Sequence, residues 1–341
     1  MTGKFLSLFA SRKPQAVPPI WLMRQAGRYL PEYRATRQQA GSFLDLCYRS
    51  DLAEEVTLQP IRRYHFDASI VFADILLLPQ ALGQKLWFAD GEGPRLEPIS
   101  NPDGLSTDAF DQTLSPVYET IALLRRSLPE DVALIGFAGA PWTVASYMIA
   151  GRGTPDQAPA KRLLAQDRSA FMAIIDLLVA QSIDYLEAQV ANGAQTLQIF
   201  ESWAQSLTGA DFEDVCIAPV KRIIAGLRAR GVTVPIIGFP RAAQYDLTIY
   251  ARETAIDALS VDQHVDLAAL ADRLSEDIII QGNLDPDMLV KGGDALTKAI
   301  DHICDSLSDR RHIFNLGHGI VPQTAPDHVE YLVNYIRARG R

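Results

Sequence analysis

Short apolar runs recur along this chain with helical segments between them, and that alternation constrains the fold more than any other feature. The runs are Pro19–Met23, Ala68–Phe72, Val132–Phe137, Gln195–Phe200, Val234–Gly238, Ala258–Val261, Asp277–Gln281 and His312–Asn315. Most are nearly continuous in apolar residues, as suits parallel strands buried on both faces. Helical periodicity is clearest in Ala170–Ala191, with Pro219–Arg230 and Val329–Arg339 as further examples. Eight strands alternating with helices predict an α/β fold, a single (β/α)8 barrel of TIM type over residues 1–341. The alternative is a doubly wound open sheet. Its usual mark is a glycine-rich turn after the first strand, whereas here the first run leads into Arg24–Tyr29. Two insertions interrupt the repeat, Ala89–Ser106 and Gly151–Pro159, and both read as exposed loops.

Composition narrows the class. The net charge of −9 argues against a nucleic-acid partner, whose footprint is normally basic, and makes any local cluster of arginines notable. Cys47, Cys216 and Cys304 are far apart and form no CxxC pair, so neither a disulfide framework nor a zinc knuckle is expected. No apolar run approaches the ~20 residues that span a bilayer. The short stretch Phe5–Ala10 precedes Arg12 and Lys13, the reverse of a signal peptide's order. A cytoplasmic protein without a membrane partner is expected.

In such a barrel, chemistry sits at the C-terminal ends of the strands. The residues that follow the runs in turn are Arg24 and Arg28; Asp74; Gly139–Thr143 and then Tyr147; Glu201, Ser202 and Trp203; Pro240 and Arg241; Asp262; Gly282–Asp285; and Gly317-His318-Gly319. Arg24, Arg28, Arg34 and Arg37 lie close in sequence with Glu32 as the only acid among them. They form either a solvated surface cluster or a clamp for a polyanion, since a guanidinium offers a fixed fork of donors to carboxylate or phosphate. Arg24 and Arg28 share a face if that segment is helical. Asp74, isolated among apolar residues, is either a cap or a functional carboxylate in a low-dielectric setting. Tyr147 is a core aromatic or a cleft residue, and Ser202 a cap or a ligand. His318 is a turn histidine, or one whose flanking glycines allow close backbone approach. No HExxH, Walker, GxSxG or pyridoxal-lysine motif is present, so no cofactor and no metal is expected.

These residues fall within motifs that resemble the uroporphyrinogen decarboxylase family, of bacterial type. PIWLMRQAGRYLPEYR (Pro19–Arg34) is similar to its N-terminal signature and GFAGAPWT (Gly136–Thr143) to its second. LQPIRR (Leu58–Arg63), FADIL (Phe72–Leu76), FES (Phe200–Ser202), QGNLDP (Gln281–Pro286) and FNLGHG (Phe314–Gly319) follow the family's order across nearly the whole chain. The resemblance implies the same barrel, a homodimer, and a cofactor-independent carboxy-lyase. Its reaction removes CO2 from the four acetate side chains of the small molecule uroporphyrinogen III, giving coproporphyrinogen III. It carries over Arg24, Arg28 and Arg37 as carboxylate-binding arginines, Asp74 as the central carboxylate, and Tyr147, Ser202 and His318 as further cleft residues. It places catalysis on Asp74, Arg24 and Arg28. Two segments depart from the family pattern: Pro240-Arg241 where a Phe-Ala-Lys-like stretch is expected, and Gln263-His264 where an aromatic usually follows Asp262.

The residues suit that chemistry. An arginine cluster in an acidic protein matches a substrate with eight carboxylates. A protonated pyrrole serves as the electron sink, which leaves a cofactor nothing to do. Desolvation should raise the pKa of Asp74 and nearby arginines should lower it. Three rival readings are a corrinoid-linked methyltransferase holding zinc through His and Cys, a sugar-phosphate enzyme with its anion at Gly282 and Gly317–Gly319, and a tetrapyrrole carrier. The first lacks a cysteine beyond Cys304, the second leaves Arg24–Arg37 unexplained, and the third needs no poised Asp74.

Overall fold

The computed structural model describes residues 3–89 and 93–340. Nine strands are present among them: β1 (Ala68–Ile70), β2 (Leu86–Ala89), β3 (Gly93–Leu96), β4 (Ala133–Gly139), β5 (Thr196–Glu201), β6 (Ile236–Pro240), β7 (Ala258–Ser260), β8 (Ile279–Leu284) and β9 (His312–Leu316). Seven of them form one parallel sheet in the order β1-β4-β5-β6-β7-β8-β9. Each partner follows in chain order, so every crossover returns to the neighbouring position, the pattern of a sheet that curls on itself. β2 and β3 form a separate antiparallel pair.

Side chains on successive strand positions enter two different cores. Ala133 and Ile135 of β4, Ile237 and Phe239 of β6, Ala258, Ile279 and Ile313 gather in one buried cluster with Trp21 and Met23. Leu134, Ile236, Leu259, Ile280 and Phe314 join the larger cluster that the helices cover. The period of two thus separates a sheet interior from a helix-facing exterior. The helix Lys4–Ala10 packs Phe5 and Leu8 into the interior cluster, and neither side chain reaches solvent. A polar layer crosses the interior. There the Trp21 Nε1–H donates to Gln281 Oε1 (2.9 Å), and Gln281 Nε2 donates to Gln198 Oε1 (3.1 Å) and Ser260 Oγ (3.0 Å).

Seven of the expected runs contain a strand. The first, Pro19–Met23, does not. Ile20 makes an isolated parallel bridge to Phe314, with the Trp21 N–H bonded to the Phe314 carbonyl (3.3 Å) and the Phe314 N–H to that of Pro19 (2.9 Å). On the other side the Asp67 N–H donates to the Ile20 carbonyl (2.9 Å). The ladder stops there because its donors go elsewhere. Pro18 and Pro19 have no N–H, while those of Leu22 and Met23 donate to the side chains of Gln25 (3.2 Å) and Asn315 (2.9 Å). Arg24–Arg28 is likewise not helical. Arg24 holds a left-handed φ of 60°, and the segment continues as turns.

The helical expectations match Arg168–Ala191, Ala218–Ala229 and Pro326–Arg339. Arg168–Ala191 is long and apolar enough to cross a bilayer by length and composition, contrary to the expectation that no such run exists. Here Phe171, Ile174, Ile175, Leu178 and Leu186 are buried, and the helix lies against β4 and five neighbouring helices as a core element. Of the insertion Ala89–Ser106, residues 90–92 lie outside the described residues. Gly93–Leu96 is strand rather than loop, and Arg95 bridges to Arg152 of the second insertion, so the two insertions meet.

Candidate active site

Because the main sheet is parallel, everything that follows a strand leaves from the same end. Arg24, Asp74, Tyr147, Ser202, Arg241 and His318 come from six different connections at that end. Arg24 is solvent-exposed by surface, yet burial is the largest influence on its guanidinium, and Asp74, Tyr147 and His318 are half-exposed with the same dominant influence. That combination belongs to side chains lining a deep open cleft.

Arg24 lies at its centre. Burial pulls its pKa down, the negative charge of Asp74 opposes this, and the positive charges of Arg241 and Arg28 add to it. The residue before it is held at both its N–H and its carbonyl. The Met23 N–H donates to Asn315 Oδ1 (2.9 Å), and the Met23 carbonyl accepts from the Ile320 N–H (2.9 Å). Gly319 passes so close that a Cβ there would lie 2.3 Å from Arg24 Cδ and 2.9 Å from Nε. The glycine after His318 therefore makes room for a side chain of the cleft itself.

Asp74 is both tied into a turn and desolvated. Its Oδ1 accepts the Leu76 N–H (2.9 Å), which fixes the turn into the helix Leu77–Ala81. Its carboxyl is raised above the ordinary carboxylate range, because desolvation outweighs both that hydrogen bond and the charge of Arg24. The competition between burial and arginine is thus decided for burial. Tyr147, on the helix Pro141–Ala150, is raised first by burial and then by the charge of Asp74, while Arg24 lowers it. Its ring meets that of Trp203 at 6.0 Å. His318 is pushed down to about 3 by burial and then by the charges of Arg24 and Arg241, so its imidazole is neutral at physiological pH.

The remaining expected residues are placed less directly. Arg28 is exposed, and its charge reaches Arg24 and Tyr33. Arg37 sits in the last turn of the helix Pro31–Ala40, donates to the Gly41 carbonyl (2.9 Å), and acts on Tyr33 and the buried Cys47; Cys47 in turn feels Asp74. Ser202 contributes its carbonyl to Arg241 Nη1 (3.4 Å). Glu32, the one acid in the arginine cluster, is taken by Arg63 (2.8 Å), and Arg34 binds the carbonyls of Arg28 (2.7 Å) and Tyr29 (3.2 Å). Among the described residues Arg24, Arg28, Arg37 and Arg241 have no carboxylate within ion-pair distance, whereas fifteen pairs occupy arginines and lysines elsewhere.

Two strand-end residues prove structural. Asp262 accepts the N–H groups of Ala242 (2.8 Å) and His264 (2.9 Å), and Asn283 Nδ2 donates to the Asp262 (2.9 Å) and Val265 (3.0 Å) carbonyls. Arg241 and Glu201 stand among the strand-end residues without a role carried over from the family resemblance. Glu201 is anchored between elements. Fully buried at the end of β5, it accepts from the Thr143 hydroxyl, and burial raises its pKa to about 8. A charge among apolar strand residues gave that signal in the sequence.

Comparison with known proteins identifies the family and the fold. The family model described as uroporphyrinogen decarboxylase matches residues 4–339. The chain is 55% identical over 325 residues to a uroporphyrinogen decarboxylase of Paracoccus denitrificans (strain Pd 1222), covering 94% of this chain and 95% of that protein. It is 54% identical over 326 residues to one of Jannaschia sp. (strain CCS1), with the same coverage of each, 94% and 95%. Among solved structures, a methyltransferase from Methanosarcina mazei aligns with a TM-score of 0.79 over 98% of this chain and 97% of that one, at 16% identity, which shows a common fold. A near full-length family match and relatives above half identity establish that the chain belongs to the uroporphyrinogen decarboxylase family.

Proposed function

We propose that this chain decarboxylates the four acetate side chains of uroporphyrinogen III to coproporphyrinogen III, with Asp74, Arg24 and Arg28 as the catalytic groups and Arg37, Tyr147, Ser202 and His318 completing the substrate site. The observation that carries the reading is the group of arginines without carboxylate partners around a desolvated Asp74. Their missing counter-ions match the carboxylates of the substrate. Protonation of the pyrrole carbon next to the one that bears the acetate arm gives an iminium. The C–CO2 bonding pair then flows into the ring as CO2 departs, the new exocyclic carbon takes a proton, and loss of the ring proton restores the pyrrole. Asp74 accepts hydrogen bonds from the pyrrole N–H groups and balances the positive charge as it develops. Arg24 and Arg28 hold the departing carboxylate. His318, neutral at working pH, and Tyr147 position the substrate.

The same reading includes closure of the curled sheet into an eight-stranded barrel by the segment around Ile20, one domain over residues 1–341, a cytoplasmic homodimer, and no nucleic-acid or membrane partner. Anaerobic incubation with uroporphyrinogen III tests the activity. Seven-, six-, five- and four-carboxylate products are expected in turn without added cofactor, and unchanged substrate with folded protein would overturn the reading. Asp74→Asn keeps an acceptor for the Leu76 N–H and removes the charge. It is expected to leave the fold intact and lower kcat by at least ~10²-fold, the scale of one lost transition-state contact. Near-normal turnover in that variant would remove Asp74 from the mechanism.

A further inference from the structure

We infer that Arg241, on the connection after β6, is a substrate-binding residue that grips one carboxylate of the macrocycle from the wall facing Arg24 and His318. This rests on the decarboxylase reading and adds a residue that the family resemblance did not supply.

Arg241 is half-buried, and its charge reaches both Arg24 and His318. Three connections, after the Ile20 bridge, β6 and β9, therefore bring these groups to one place. Two guanidiniums gather this closely, with Asp74 acting on Arg24 and no carboxylate within ion-pair distance of either among the described residues, where an anion is to be held. The donors of Arg241 are largely unused. Nη1 reaches the Ser202 carbonyl at 3.4 Å, the outer limit of a hydrogen bond, and Nε is buried with no acceptor among the described residues. A buried guanidinium donor left unsatisfied is costly, and a bound carboxylate would remove that cost.

The backbone beneath it is also built for rigidity. The Arg241 N–H donates to the Glu201 carbonyl (3.1 Å), and the next N–H, of Ala242, donates to Asp262 Oδ2 (2.8 Å). Ala242 holds a left-handed φ of 53°, so the turn aims Arg241 at the expense of local strain. Two neighbouring connections thus pin the residue that carries the free fork, which is preorganisation of a binding group.

Steady-state turnover of uroporphyrinogen III by wild type, Arg241→Gln and Arg241→Lys tests the inference. Wild-type turnover alone tests the decarboxylase reading, so the two can fail separately. For Arg241→Gln the expectation is a KM raised at least ~10-fold with kcat within ~3-fold of wild type, the size of one charge-assisted contact. Arg241→Lys, which keeps the charge and loses the fork, should fall between. An unchanged KM in folded Arg241→Gln overturns the inference, as does a Lys variant no better than Gln, which would mark a structural role. Should Arg241→Gln not fold, Arg241→Lys decides alone: a raised KM supports binding and a wild-type KM overturns it. A KM penalty that persists with the five-carboxylate intermediate assigns the grip to a propionate, and one that fades as acetates are lost assigns it to an acetate.

Discussion

Arg24 adopts a backbone conformation that costs an L residue roughly 1–2 kcal/mol, and it does so where Met23, Asn315 and Ile320 leave it no alternative. Strain held by its surroundings is typical of a side chain whose direction matters more than local stability. Gly319 shows the same requirement from the other side. A Cβ at this position would crowd Arg24 Cδ, Cγ and Nε. The obstructed atoms belong to a flexible side chain rather than to backbone, so Gly319→Ala is expected to fold with little change in thermal stability and to displace the guanidinium. A loss of kcat/KM of ~10- to 10²-fold is predicted, the effect of misplacing a catalytic group by about an ångström. Wild-type kinetics in Gly319→Ala would show that Arg24 has room to spare. At this scale the sequence was informative unevenly. The Gly-His-Gly pattern announced a close approach, but the object approached is Arg24. The left-handed Arg24, which excludes a helix over Arg24–Arg28, carries no periodic signal.

Between elements, Glu201 joins the end of β5 to the helix that carries Tyr147, because its carboxyl takes the Thr143 hydroxyl, which in turn accepts the Trp203 N–H (3.3 Å). Oε2 is buried without a hydrogen-bond partner among the described residues, as suits a protonated acid. With a pKa raised from 4.5 to about 8, Glu201 keeps its proton in the folded chain where the unfolded chain has lost it. Its contribution to stability therefore falls as pH climbs from 4.5 to about 8 and is level on either side. His312 and His318, lowered to about 4 and about 3, act in the opposite sense below their ordinary 6.5. The difference between wild type and Glu201→Gln isolates the acid. In urea unfolding at pH 5, 6.5 and 8, the variant should gain on wild type by up to ~1.4 kcal/mol per pH unit. Parallel curves would mean that Glu201 is ionised when folded. Strands such as β4, β5 and β9 were legible because buried parallel strands are apolar on both faces. The Ile20 segment was only half legible. Its apolar run placed it beside β9, but the diversion of its N–H groups to Gln25 and Asn315 depends on residues up to 292 positions away.

Over the whole molecule, an acidic surface of net charge −9 surrounds a cleft built from arginines. The general field repels a polyanion while the site attracts one, so raising the ionic strength should affect encounter less than it would for a uniformly basic protein. The two ends of the chain meet at this cleft. Trp21 bonds to Phe314, Met23 to Asn315 and Ile320, and Gly319 closes on Arg24. A chain ending at Arg311 lacks β9 and the support of the Arg24 turn, and it is expected to show neither turnover nor a cooperative unfolding transition in calorimetry. During synthesis the turn that carries Arg24 is made long before Asn315, its partner 292 residues beyond Met23, so its geometry waits on residues far downstream. An interrupted translation product therefore carries the charges of the site without its shape. A nascent chain has no decarboxylating centre to expose until the stretch Phe314–Ile320 has been made.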